Sequence, residues 1–210
     1  MGYTHYLYRD KELEENRFKI AVDECRKVCE GLPIPLGDAM GENEPVFSDD
    51  RIEFNGHIYS SELAEGLAKA DISIPWPAPK ASGVAIVGEQ AQAGKWFAGD
   101  LLSSRCLNAD GDGSYESFIV PRVINSDRPT LSDDDDNPET KGKYFSFCKT
   151  AYRPYDLNVQ CCLIILKQHL KKAIYIASDG GPEDWEDAKE VCQQALGYGK
   201  DFWIDSWDEK

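Results

Sequence analysis

Residues 157 to 170, LNVQCCLIILKQHL, are apolar around most of a helical circumference. A helix of that kind must be covered on nearly every side, so the pattern predicts a central buried helix. Its cover has to come from the rest of a 210-residue chain, a length that suits one domain with a real core. Ala173 to Ala177 (AIYIA) follows directly and reads as a short buried strand. Glu12 to Glu30 places Phe18, Ala21, Val22, Cys25, Val28 and Cys29 at helical spacing, and Gly31 with Pro33 ends it. A third stripe runs through Trp185, Ala188, Cys192, Ala195 and Leu196, with Pro182 at its start and Gly197 and Gly199 at its close, and the tail aromatics Phe202, Trp203 and Trp207 are expected to dock on the body.

Strands are expected at Tyr3 to Tyr8, Arg51 to Phe54, Ser117 to Val123 and Lys143 to Cys148. Asn55-Gly56 reads as a hairpin turn, with His57 to Tyr59 returning. A short helix is expected at Ser61 to Ala70 and a short strand at Val84 to Val87, while three prolines exclude helix from 72 to 80. Residues 33–50 and 125–140 read as long loops. The fold class is α+β: one mainly antiparallel sheet, three principal helices and long loops. The whole chain, residues 1–210, is one domain with a loop-rich insertion around 57–140.

The balance of 38 acidic against 23 basic residues, a net charge of −15, argues against a partner such as duplex nucleic acid, whose phosphates need a basic face. No run of eighteen apolar residues is present, so no membrane span or membrane partner is expected. The start, MGYTHYLYRDKE, lacks the pattern of a secretion signal, and a cytoplasmic location follows as the expectation. Seven cysteines lack CxxC spacing and His5, His57 and His169 show no pairing, so the thiols are expected reduced and buried, with no zinc and no cofactor. Asn108 to Gly113 (NADGDG) partly matches a calcium loop, with Asn108, Asp110 and Asp112 as ligands. Its twelfth position falls on Ile119 where a bidentate Glu is needed, so a plain Asp-Gly turn is the better reading and no metal is expected.

Lys141 to Pro154, KGKYFSFCKTAYRP, interleaves four cations with four aromatic rings and contains no acid. As a strand, Lys143 to Cys148 puts Lys143, Phe145 and Phe147 on one face and Tyr144, Ser146 and Cys148 on the other, and the last part of the segment feeds the central helix. Lys149, Thr150 and Arg153 can hold a small anion there, Tyr152 or Tyr155 can stack on it, and Asn55, Asp156 or Asp179 can accept hydrogen bonds. Asp156 is also a natural N-cap for the helix. Ser178-Asp179-Gly180 ends the AIYIA strand, where a carboxylate can act as a base; equally, Asp-Gly-Gly is good turn chemistry. His5 and Asp179 are the acid–base candidates, although a histidine flanked by tyrosines in a strand is commonly structural. Lys149 beside Cys148 can lower a thiol pKa, but nucleophilic catalysis is mostly discounted. The chain has no GxSxG, HExxH, P-loop or GxGxxG.

Four segments carry a resemblance: GYTHY (Gly2 to Tyr6), Phe54-Asn55-Gly56, Phe147 to Ala151 with Arg153 to Asp156, and Ser178-Asp179-Gly180 ahead of Trp185. Together they resemble a family of uncharacterised proteins of tailed bacteriophages and some bacteria. The likeness spans most of the chain in pieces; residues 57–140 match poorly and look expanded. It implies a small soluble protein of the cytoplasm, that of the host if phage-encoded, and supplies no activity. It also implies that His5, Asn55, Lys149, Thr150, Tyr155, Asp156 and Asp179 form one signature suited to a shared pocket. The expected function is binding of a small anionic ligand such as a nucleotide, sequestering or processing a host nucleotide signal. One rival is an acidic interaction protein that inhibits a host factor through Asp133 to Asp136 and Glu183 to Asp208. Another is a virion component.

Overall fold

The computed structural model describes residues 3–32, 34–57, 113–125 and 137–206. The predicted α+β class holds, with two mainly antiparallel sheets in place of one. In the first, β1 (Thr4–Arg9) lies between β6 (Tyr144–Lys149) and β7 (Ile174–Ser178), antiparallel to both. In the second, β4 (Arg51–Gly56) pairs with β2 (Leu36–Gly37), β3 (Val46–Phe47) and β5 (Phe118–Pro121). Glu116 N–H donates to Lys149 O at 3.2 Å and links the second sheet to the edge of the first.

The central helix is α2 (Asp156–Leu170), and every residue from Asp156 to Leu166 is buried. It packs against α1 (Glu15–Gly31), α3 (Glu186–Leu196) and β7. Leu, Ile and Val side chains buried this way each contribute about 1.5–3 kcal/mol, which makes α2 the main store of apolar burial. β1 alternates as a half-covered strand must: His5, Leu7 and Arg9 are buried, while Tyr6 and Tyr8 are half-buried. The Arg9 guanidinium donates to the carbonyls of Asp10, Lys11 and Arg122, and burial pushes it down to about 10. It ties the end of β1 to the segment after β5. The tail closes the free edge of β7: Asp205 N–H donates to Ile176 O at 3.1 Å, and its carboxylate takes Ile176 N–H and the Lys167 ammonium.

Five cysteines meet where the three helices touch. Cys29 and Cys162 bring their Sγ atoms to 3.8 Å, and Cys192 Sγ lies 3.8 Å from Cys161 O. Burial pushes the Cys25, Cys29, Cys161 and Cys162 thiols up, so they stay protonated and act as small apolar side chains. Iodoacetamide should therefore leave all six described cysteines, which are free and buried, unmodified in the native protein and label them in urea. Native labelling of Cys161 or Cys162, read by peptide mass spectrometry, would contradict this packing.

Three local expectations are corrected. Asn55-Gly56 is no hairpin turn, because β4 runs through both residues and pairs them with Gly37 and Leu36. A Cβ on Gly56 would fall 1.9 Å from Gly113 O, so this glycine serves close backbone approach. The 33–50 stretch holds β2 and β3, each too short to show a period. Of the tail aromatics, Phe202 packs on Trp185 with ring centroids 5.3 Å apart, but Trp203 is 44% exposed. The expectations at Ile58-Tyr59, 61–70, 72–80, 84–87, 108–112, 126–136 and Trp207 lie outside the described residues.

Candidate functional site

β1 begins, and β6 and β7 end, at the same end of the first sheet. Register places Cys148, His5 and Ser178 side by side across the three strands. Beyond β6 the chain turns through Ala151 (φ 50°) and Tyr152 (φ 58°), closed by Arg153 N–H donating to Thr150 O at 3.0 Å. The left-handed region costs a non-glycine residue roughly 1–2 kcal/mol, so other contacts must hold this turn. Thr150 and Ala151 N–H both donate to Tyr3 O, at 2.9 and 3.1 Å, and the Tyr152 ring stacks on Tyr3 at 4.0 Å. Replacing Ala151 with glycine should relieve this strain and stabilise the fold by about 0.5–1 kcal/mol, after the extra freedom glycine gives the unfolded chain. A lower urea midpoint for Ala151→Gly would contradict that account.

The turn delivers Asp156, the first residue of α2, beneath β1. Its Oδ1 accepts from Thr150 Oγ1 at 2.5 Å and lies 2.8 Å from His5 Nε2. On the other side of the ring, Ser178 Oγ lies 3.1 Å from His5 Nδ1 and accepts Gly180 N–H at 3.1 Å. A carboxylate at Asp156 can only accept, so the bond is donated by His5 Nε2–H. That leaves the Nδ1 lone pair facing the Ser178 hydroxyl. His5 and Asp156 are 2% and 1% exposed, and Ser178 is half-buried.

The His5 ring stands nearly perpendicular to Tyr3 and Trp185, with centroids 5.0 and 5.2 Å away. Gln160 Nε2 donates to Tyr3 OH at 3.2 Å and to Asp184 O at 3.0 Å, fixing this wall. Gly180 is required there, since a Cβ would fall 2.2 Å from Tyr3 OH. Low local polarity around the ring strengthens its hydrogen bonds. A narrow recess of about 10 Å³, lined by His5, Ser146, Phe147, Cys148 and Ile119 among others, has room for about one water.

The residues expected to share one pocket fall into two adjoining networks. His5, Thr150 and Asp156 are bonded together, with Ser178. Behind the same turn, Asn55 grips the backbone of Tyr115 through both its N–H and its carbonyl, each at 3.0 Å. Tyr155 is buried and donates to Glu116 O at 2.6 Å, and burial pushes its hydroxyl up. Lys149 Nζ lies 5.5 Å from the Tyr115 ring centroid, and Lys149 N–H donates to the Glu116 carboxylate at 2.8 Å. Arg153 is half-buried beside the turn. Asp179 stands outside both networks, exposed, taking Tyr6 OH at 3.0 Å.

Two roles change. Asp156 does not cap α2: the capping position is Tyr155, and the Asp156 carboxylate is turned to His5 and Thr150. Cys148 is not activated by Lys149, its neighbour in sequence but on the opposite face of β6. Its Sγ donates to Glu116 O at 3.3 Å and burial pushes it up. Ser178 is not among the residues the sequence singles out, since Asp179 is the titratable group of Ser-Asp-Gly; the available signal is a hydroxyl ending a strand. Among the described residues no group of three or more His, Cys, Asp or Glu is placed to hold a metal ion. Residues from all four of the resemblance's segments meet here, yet the chain matches no family model, no curated protein and no solved structure.

Proposed function

We propose that the protein is a hydrolase of the ester-cleaving kind, with Ser178 as nucleophile, His5 as general base and Asp156 as the group that orients and charges the imidazole. The observation that carries this reading is the unbroken chain from Ser178 Oγ to His5 Nδ1 (3.1 Å) and from His5 Nε2 to Asp156 Oδ1 (2.8 Å). A nucleophile within reach of a base, with the base held by a third group, is the general signature of covalent catalysis. The ring runs the opposite way to the serine-protease arrangement, where serine bonds Nε2. Either nitrogen can take a proton provided the other is held by an anion.

In the proposed reaction Ser178 Oγ adds to the ester carbonyl as its proton passes to His5 Nδ1. Asp156 stabilises the imidazolium. The same proton then goes to the departing alkoxide, leaving an acyl-serine, and water deprotonated by His5 cleaves it to acid and free Ser178. The test is hydrolysis of 4-nitrophenyl acetate and butyrate. Turnover above the buffer blank that is absent from Ser178→Ala is expected; equal rates would overturn the assignment.

A second reading keeps the ligand expected from the sequence in narrower form. Thr150, Tyr155 and Asn55 donate inside the fold, so an anion such as a nucleotide would be held by Lys149 and Arg153, both half-buried on this turn. Thermal shift with a nucleotide panel tests it, with Lys149→Ala removing the response.

A further inference from the structure

The face of the first sheet turned away from α2 carries a separate feature. The alternation that buries His5, Leu7 and Cys148 sends Tyr6, Phe145, Phe147 and Tyr175 to the other side. Phe145 stands 6.2 Å from Tyr6 at an interplanar angle of 18°, and 5.9 Å from Phe147 at 32°. Tyr6 and Phe145 lie nearly parallel and Phe147 is tilted to them, while Tyr8 and Tyr175 on the same face stand at 51° to Phe145 and at 80° to each other. Phe147 is 55% exposed. Single exposed apolar side chains need no explanation, but a contiguous set of rings on one sheet face marks a binding surface.

Charge selects the occupant. A net charge of −15 opposes association with a second copy and repels the phosphates of a single-stranded nucleic acid, the other polymer that stacks on rings. The patch itself is balanced. Lys149 and Asp179 stand at one end, and at the other Lys143 Nζ bonds Asp10 Oδ1 at 2.7 Å. An uncharged ligand that stacks fits such a surface. The C–H face of a sugar ring is attracted to the negative face of an aromatic ring, and its hydroxyls can bond the carboxylates and ammonium groups at the ends. We propose that this face binds a neutral glycan chain. The proposal is independent of the reaction assigned to Ser178.

Affinity electrophoresis through gels containing a soluble β-glucan, a mannan or an α-glucan tests it, with calorimetry on the matching hexasaccharides. The wild type should be retarded by at least one of them. Phe147→Ala and Tyr6→Ala should each weaken that binding by about tenfold. Phe147 is exposed enough for its variant to fold, and Ser178→Ala should bind as the wild type does. Retardation by none of the three, or retardation unchanged in both aromatic variants, overturns the proposal. So does Phe147-dependent binding of oligothymidylate, or Phe147-dependent dimerisation in light scattering, since either gives the face to another occupant.

Discussion

Ser178→Ala is expected to fold as the wild type does and to lose ester hydrolysis by about a thousandfold or more, down to the blank. Alanine removes one oxygen from a half-buried position at the end of β7. Two hydrogen bonds go with it, to His5 Nδ1 and from Gly180 N–H. A net cost of about 1–3 kcal/mol follows, because His5 and Gly180 are buried and each loses a partner. The catalytic loss is much larger because nothing else along the relay offers a nucleophile to the same base. The kcat/KM for 4-nitrophenyl butyrate and the urea midpoint, measured together, separate the two effects. Hydrolysis retained in a folded Ser178→Ala protein would make the cluster structural.

The second large effect is on stability. Asp156→Ala removes the acceptor of both His5 and Thr150 from a site where the carboxylate is 1% exposed and Thr150 is fully buried. Truncating one partner of such a buried polar cluster costs about 3–5 kcal/mol, since the groups left behind find no water. A domain of this size has roughly 5–15 kcal/mol in total, so the variant should unfold at a far lower urea concentration. Asp156→Asn keeps the shape and one oxygen acceptor, and should lose about half as much or less. It should nonetheless be inactive, because a neutral amide cannot stabilise the imidazolium. An alanine variant within about 1 kcal/mol of the wild type would remove Asp156 from the centre of the account.

The elements with a long period were legible in the sequence. Leu157 to Leu170 could only be a covered helix, and the stripes through Phe18 to Cys29 and Trp185 to Leu196 supplied two of its covers. The strand reading of Lys143 to Cys148 also placed Phe145 and Phe147 on one face, where the structure has them. The single sheet failed on local chemistry overruled by contacts. Asn55-Gly56 has the composition of a turn, but Asn55 grips Tyr115 and Gly56 admits Gly113, residues about sixty positions away. Two-residue strands such as Leu36–Gly37 have no period to read.

At the site, the sequence offered His5 as an acid–base candidate, the role proposed for it, whereas Thr150 and Asp156 were identifiable by type but not by role. Thr150 and Asp156 looked like ligand contacts because nothing local shows that each faces the other around a left-handed turn. Ser178 lies 173 positions from His5, and only the pairing of β1 with β7 brings them together. Lys149 and Arg153, prominent by charge in an acidic chain, stand beside the buried relay and not within it.

The most direct measurement is covalent labelling with a fluorophosphonate, which captures a serine only when its hydroxyl is activated by a neighbouring base. The account predicts one label per chain, mapped by peptide mass spectrometry to Ser178, absent after unfolding in urea and absent from a folded His5→Gln variant. No label on the native protein, or a label at Ser178 that forms equally fast without His5, would contradict it.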